Sequence, residues 1–121
     1  MSEGKTYYTW RQFDGDILKI AEKLHLQKKQ FNGIWGPPRG GLVLAVCLSH
    51  ALGLPLVSRP KDQKTLIVDD IVDTGATLSR LKKKGFFIVS LFYHRQSTFE
   101  PDLWFREKKK QWIVFPWEAK S

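Results

Sequence analysis

Between Trp10 and Leu26, apolar residues recur at Phe13, Ile17, Ile20 and Leu24, with polar positions between them. This three- and four-residue spacing predicts an amphipathic helix. From Gly41 to Leu52 the chain is apolar on nearly every side, which predicts a well-buried helix, with Gly53 as its C′ residue and Pro55 just beyond. Short β-prone runs stand at Asn32–Trp35, at Leu56-Val57, at Thr65–Asp69 and at Phe86–Tyr93, the last strong enough to be a central strand. Thr77–Lys84 is expected to be a helix stopped by Gly85, and beyond His94 the pattern weakens until the strand-like Trp112–Phe115. Strand–helix–strand alternation implies an α/β fold, with a mainly parallel central sheet flanked by helices. Ligands in such sheets bind beyond the carboxyl ends of strands. The two unusual loops, Gly36–Gly41 and Asp69–Thr77, both follow strands and are expected to face one site.

The 121 residues suit a single domain spanning 1–121 with one core. Cys47 is the only cysteine and lies in an apolar run, so an internal disulfide is excluded. A reducing, cytoplasmic setting is expected, with Cys47 as a small core residue. No apolar stretch reaches membrane-spanning length and the N-terminus lacks a signal-peptide core, so no membrane association is expected. The formal charge of +8 is concentrated in Lys28-Lys29, Lys82–Lys84 and Lys108–Lys110. The first two clusters fall at expected helix ends, where cations complement the dipole, and the third falls in an expected turn. Solvated helix ends and turns account for these lysines, with some attraction of a small polyanionic substrate; nucleic acid is not the expected partner.

The strongest chemical signal is Leu66-Ile-Val-Asp-Asp-Ile-Val-Asp-Thr-Gly-Ala-Thr77. A buried strand ends in Asp69 and Asp70, then turns through Asp73 into a helix start made of small residues. Thr74, Gly75, Ala76 and Thr77 would present unpaired amides and hydroxyls to a phosphate. The adjacent acids suit hydroxyl groups or a divalent cation. Phosphate and diol side by side describe a ribose 5-phosphate. The bland alternative is a strand–turn–helix in which Asp73 or Thr74 merely caps, but capping does not require Asp69 and Asp70 together. In Gly36-Pro37-Pro38-Arg39-Gly40-Gly41, glycines permit close backbone approach and Arg39 offers a fork for phosphate oxygens.

The Leu66–Thr77 segment resembles the phosphoribosyl-pyrophosphate signature of the type I phosphoribosyltransferases, and Gly36–Gly41 resembles their pyrophosphate loop, in which the bond before the arginine is often cis. The N-terminal Tyr7–Asp14 and the Trp112–Glu118 ending are similar to those of the xanthine-guanine and hypoxanthine enzymes, so the likeness spans nearly the whole chain. The resemblance implies transfer of phosphoribosyl from phosphoribosyl pyrophosphate to a 6-oxopurine, with Mg²⁺ and a homodimer or higher homo-oligomer. By carry-over, Arg39, Gly40, Asp69, Asp70, Asp73 and Thr74–Thr77 bind phosphoribosyl pyrophosphate, and Asp69 and Asp70 serve the metal. Asp73 and Arg39 act in catalysis, and Trp112, Ile113, His94 and Glu118 bind the base. His25 and His50 are expected to be structural or surface residues.

Two departures mark a minimal version of that fold. Only Ser58–Lys64 stands where family members carry a long mobile loop that closes over the reaction, and His94 replaces a lysine that donates to the 6-oxo group, with Arg95 as another possible donor. The short loop leaves open a lidless, non-catalytic protein that binds phosphoribosyl pyrophosphate or a nucleotide. A transferase for another acceptor, such as a pyrimidine, is the third reading.

Overall fold

The computed structural model describes residues 4–26, 31–73 and 76–118, with Thr77 described by its backbone alone. Along the chain run β1 (Lys5–Tyr7), α1 (Trp10–Leu26), β2 (Gly33–Trp35), α2 (Gly40–Leu52) and β3 (Thr65–Val72). There follow α3 (Ala76–Lys83), β4 (Ile88–Tyr93), β5 (Leu103–Glu107) and β6 (Trp112–Val114). Strands β2, β3, β4 and β5 lie side by side in that order, and all their pairings are parallel. A separate parallel pair joins β1 to β6.

Side-chain alternation along β3 separates two apolar layers. Leu66 and Val68 pack with Ile17, Ile20, Leu44 and Leu48 from α1 and α2. Ile67 turns to the other face and packs with Ile88, Phe86 and Leu78 of α3. Helices therefore cover both faces, and every position of β4 is buried, as its unbroken β-prone run anticipates.

Local chemistry sets the helix ends. At the start of α1, Gln12 N–H donates to Thr9 Oγ1 at 3.1 Å while Thr9 N–H donates to Gln12 Oε1 at 2.9 Å, a reciprocal capping box. At the end of α2, Gly53 takes φ 69° and its N–H donates to Ser49 O, which gives it the expected C′ role.

The strands differ from expectation in several places, beginning with β1, which no β-prone run announced. Strand β3 continues three residues past Asp69, because β4 offers partners throughout: Asp69 pairs with Ser90, Ile71 with Phe92 and Val72 with Tyr93. Strand β5 has no counterpart in the pattern, since each of its positions is half-buried and shows no alternation. Leu56-Val57 makes a single bridge to Ile34 rather than a strand; Pro55 just before it has no N–H to donate.

A polar cluster fixes α1 to β5. Asp16 is buried; it accepts from Tyr8 Oη at 2.6 Å and from Arg106 Nε at 2.8 Å and Nη2 at 3.3 Å. Arg106 also lies over the Tyr8 ring, 5.4 Å from its centre. Removing one member strands the others' charge or donor, so Asp16→Ala is expected to cost about 3 kcal/mol in urea unfolding. Burial and the hydrogen bond to Asp16 push the Tyr8 phenol well above its ordinary value of 10.0. The unfolded chain ionises first, so stability falls as pH rises past about 10, and Tyr8→Phe should flatten that fall in unfolding curves measured against pH.

Candidate active site

Three segments meet at the carboxyl edge of the sheet: the loop from β2 into α2, the end of β3, and β6 with the residues after it. They enclose a cavity of about 850 Å³ whose walls include Arg39, Asp69, Asp70, Asp73, Lys108 and Trp112. The Gly36–Gly41 loop and the described part of the second segment, Asp69 to Asp73, thus face one site.

The loop after β2 is pressed against the acids. Its Pro38–Arg39 peptide bond is cis, and the loop runs directly into α2 through Leu42 N–H to Pro37 O at 3.0 Å. A Cβ on Gly40 would overlap the Asp70 carboxylate, and one on Gly41 would come within 3.0 Å of Asp69 Oδ1. Glycine is required at position 40 by this contact.

Asp69 and Asp70 are held as a pair, with Asp70 N–H donating to Asp69 Oδ1 at 2.8 Å. Burial, reinforced by the charge of Asp70, pushes the Asp69 carboxyl well up. Burial also raises Asp70, opposed by its hydrogen bond with Asp69 and assisted by the charge of Glu118. Two carboxylates in this setting favour retention of a proton, and a cation or donated hydroxyls would relieve the repulsion.

Beyond β3, Asp73 accepts a 2.8 Å hydrogen bond from His94 Nδ1. The parallel register explains the pairing: Val72 lies opposite Tyr93, and each of the two residues is the next in its chain. The His94 backbone N–H also donates to Val72 O at 2.9 Å.

The facing wall is aromatic. Trp112 is 62% exposed, while Ile113 and Phe115, which line the same cavity, are buried. Phe115 and Trp117 stack at 5.0 Å, and Trp117 also meets Phe13 at 5.1 Å, so Trp117 serves packing as well as the wall. Glu118 borders the cavity and accepts from Phe115 N–H at 2.7 Å.

Of the residues singled out from the sequence, the cavity gathers Arg39, Gly40, Asp69, Asp70, Asp73, Trp112, Ile113 and Glu118. Thr74 and Gly75 lie outside the described residues, as does the side chain of Thr77; Ala76 is the exposed first residue of α3. His94 does not line the cavity. With Arg95, Lys109 and Lys110 it borders a second, shallower pocket of about 510 Å³. Nor does any residue of Ser58–Lys64 line the cavity; that segment is a turn tied by Lys64 N–H to Asp62 Oδ1 at 2.9 Å and Asn32 N–H to Lys64 O at 3.0 Å. Sequence reasoning missed Lys108, which borders both pockets. Its signal was a position four residues before Trp112, where a strand-to-strand turn returns the chain to the same wall.

The family model of the phosphoribosyl transferase domain matches residues 55–121. A xanthine-guanine phosphoribosyltransferase of Nitratidesulfovibrio vulgaris is 29% identical, over 92% of this chain and 83% of its own length. Among solved structures, a purine phosphoribosyltransferase of Pyrococcus horikoshii superposes with a TM-score of 0.79 at 36% identity, over 97% of this chain and 95% of that one. The xanthine-guanine-hypoxanthine phosphoribosyltransferase of Helicobacter pylori shares the fold, with a TM-score of 0.80 at 23% identity over 97% and 93% of the two chains.

Two outcomes follow from the packing of the acid pair. Gly40→Ala should lower stability in urea by about 1–3 kcal/mol, because the new methyl must displace Asp70. The carboxyl of Asp69 binds its proton more tightly in the fold than in the unfolded chain, so its contribution to stability is lost as pH rises above the ordinary carboxylate range. Asp70→Asn removes the neighbouring charge, and its stability gain over the unsubstituted chain should grow from about pH 4 to about pH 8 in thermal unfolding.

Proposed function

The chain belongs to the phosphoribosyl transferase domain family, and we propose on that footing that it transfers the 5-phosphoribosyl group of phosphoribosyl pyrophosphate to a 6-oxopurine. Guanine, xanthine or hypoxanthine would be the acceptor, and the nucleoside monophosphate and pyrophosphate the products, as in purine salvage. The observation that carries this reading is the convergence on one cavity of an arginine–glycine loop, an acid pair, a further acid and an exposed tryptophan face. The name of the Pyrococcus horikoshii relative, a purine phosphoribosyltransferase, supports a purine acceptor, and that of the Nitratidesulfovibrio vulgaris relative supports a 6-oxo one.

In this reading Arg39 and the Gly40 amide hold the pyrophosphate, and Asp69 and Asp70 hold the ribose hydroxyls. On the sequence motif alone, the 5-phosphate falls to Thr74–Thr77. The base stacks on Trp112, with main-chain groups of Ile113 at its edge and Glu118 nearby. The purine N9 lone pair forms the bond to C1 while the C1–O bond breaks and its electrons leave with pyrophosphate. Asp73 accepts the N7 proton during that attack, its carboxylate held in position by His94. Holding sugar, base and leaving group at fixed places supplies much of the acceleration.

The donor set fits Mg²⁺. Asp69 and Asp70 offer hard carboxylate oxygens, and no group of three or more metal-ligating side chains occurs among the described residues. That fits a cation shared with substrate phosphates rather than one caged by protein. When bound, Mg²⁺ would neutralise charge on the departing pyrophosphate.

A homodimer or higher homo-oligomer accords with the exposed Leu42 and Val46 on one face of α2. No helix is long and apolar enough to cross a membrane, among the described residues, and cytoplasmic work accords with an unpaired Cys47. The short Ser58–Lys64 turn, away from the cavity, favours the second reading, a lidless binder of phosphoribosyl pyrophosphate or a nucleotide.

Incubation with Mg²⁺, phosphoribosyl pyrophosphate and each of guanine, hypoxanthine, xanthine, adenine and uracil separates these readings. Nucleotide should form with the 6-oxopurines. Tight binding of phosphoribosyl pyrophosphate without product from any base would establish the binder instead, and uridine monophosphate as the main product would establish a pyrimidine enzyme. Asp73→Asn should lower kcat by about 10²- to 10⁴-fold, far more than it weakens phosphoribosyl-pyrophosphate binding; equal losses would contradict the proton-accepting role.

A further inference from the structure

Only two basic side chains line the cavity among the described residues, Arg39 and Lys108. Arg39 stands in the loop packed on Asp70, at the acidic end. Lys108 follows β5 and leads into β6, so it belongs to the wall carrying Trp112 and Ile113. Its backbone is pinned, with N–H donating to Tyr93 O at 2.9 Å, while its ammonium makes only a 3.3 Å contact to the Lys109 carbonyl. No ion pair engages it among the described residues, whereas Lys82, Arg95 and Arg106 each have a carboxylate partner. His94, one step past Tyr93, is committed through Nδ1 to Asp73 and faces the other pocket.

An ammonium is a donor with no acceptor capacity. It matches the edge of a ring that carries a carbonyl oxygen. It mismatches an edge that carries an amino group, whose own donors would then go unpaired. We propose that Lys108 is the specificity-determining residue for the base: its ammonium donates to the 6-oxo group, and His94 does not read the base. The identification of the ring as a purine rests on the function proposed above; the placement of the cation does not. Lys108, just past β5, thereby supplies a donor in the cavity, which His94, just past β4, does not line.

Calorimetric binding of inosine monophosphate and adenosine monophosphate, which differ at the 6 position, tests this without requiring turnover. The unsubstituted protein should prefer inosine monophosphate by about 10- to 100-fold, the scale of one charged hydrogen bond. Lys108→Met should abolish that preference by weakening inosine monophosphate, and Lys108→Arg should retain part of it. Lys109→Met, with the same change in net charge, should leave the ratio within about twofold. The inference is overturned if the unsubstituted protein shows no preference, if Lys108→Met preserves it, or if His94→Gln removes it while Lys108→Met does not. Thermal unfolding of each variant verifies that it is folded. A Lys108-dependent preference in a protein that fails to transfer phosphoribosyl would sink the enzymatic reading alone. Efficient transfer to 6-oxopurines with Lys108→Met unaltered would sink this inference alone.

Discussion

Asp69 and Asp70 lie side by side near the end of a strand paired on both sides, with the backbone of Gly40 and Gly41 pressed onto their carboxylates. Repulsion between the two acids and the loss of water around them both work against the fold. The surrounding structure holds them there regardless: β4 continues the pairing past them, and the loop after β2 has no side chain at Gly40 that could push them apart. A site that retains two desolvated acids in contact is poised for whatever supplies compensating positive charge or hydroxyl donors. The rest of the cavity is arranged around that demand, with Arg39 on one side of the acids and the aromatic wall opposite.

The wall depends on a second buried polar arrangement. Tyr8, bonded to Asp16, meets Phe92 at 5.2 Å and Phe115 at 5.9 Å, both edge to face. Phe115 in turn stacks on Trp117. The Tyr8–Asp16–Arg106 cluster therefore joins the start of the chain, α1 and β5 to the segment that carries Trp112 and Ile113. Positioning of the base wall and stability of the domain are coupled through these contacts, and loosening Asp16 would reach the site through packing rather than through chemistry.

Much of this was legible in the residues. The period of Phe13, Ile17, Ile20 and Leu24 identified α1, all-round apolarity identified α2, and the Asp69–Thr77 segment placed the acids on a strand, although β3 runs on to Val72 instead of ending at them. Edge elements were not legible: β5 is half-buried throughout and interrupts its apolar residues with Arg106, so neither face shows a period. Leu56-Val57 carried a strand signal, but its two residues between Pro55 and a turn hold only one bridge. The pairing of His94 with Asp73 depends on the register that sets Val72 opposite Tyr93, which no local pattern encodes. Lys108 was hidden for a related reason: in a run of three lysines, only the path of the turn decides which one meets the cavity.

A crystal structure of the protein with phosphoribosyl pyrophosphate and Mg²⁺ tests the central claim most directly, because that claim concerns where one ligand sits. The ribose hydroxyls are expected at Asp69 and Asp70, with the pyrophosphate beside Arg39 and Gly40. A sugar bound away from the acid pair, for instance among His94, Arg95 and Lys110, would contradict it.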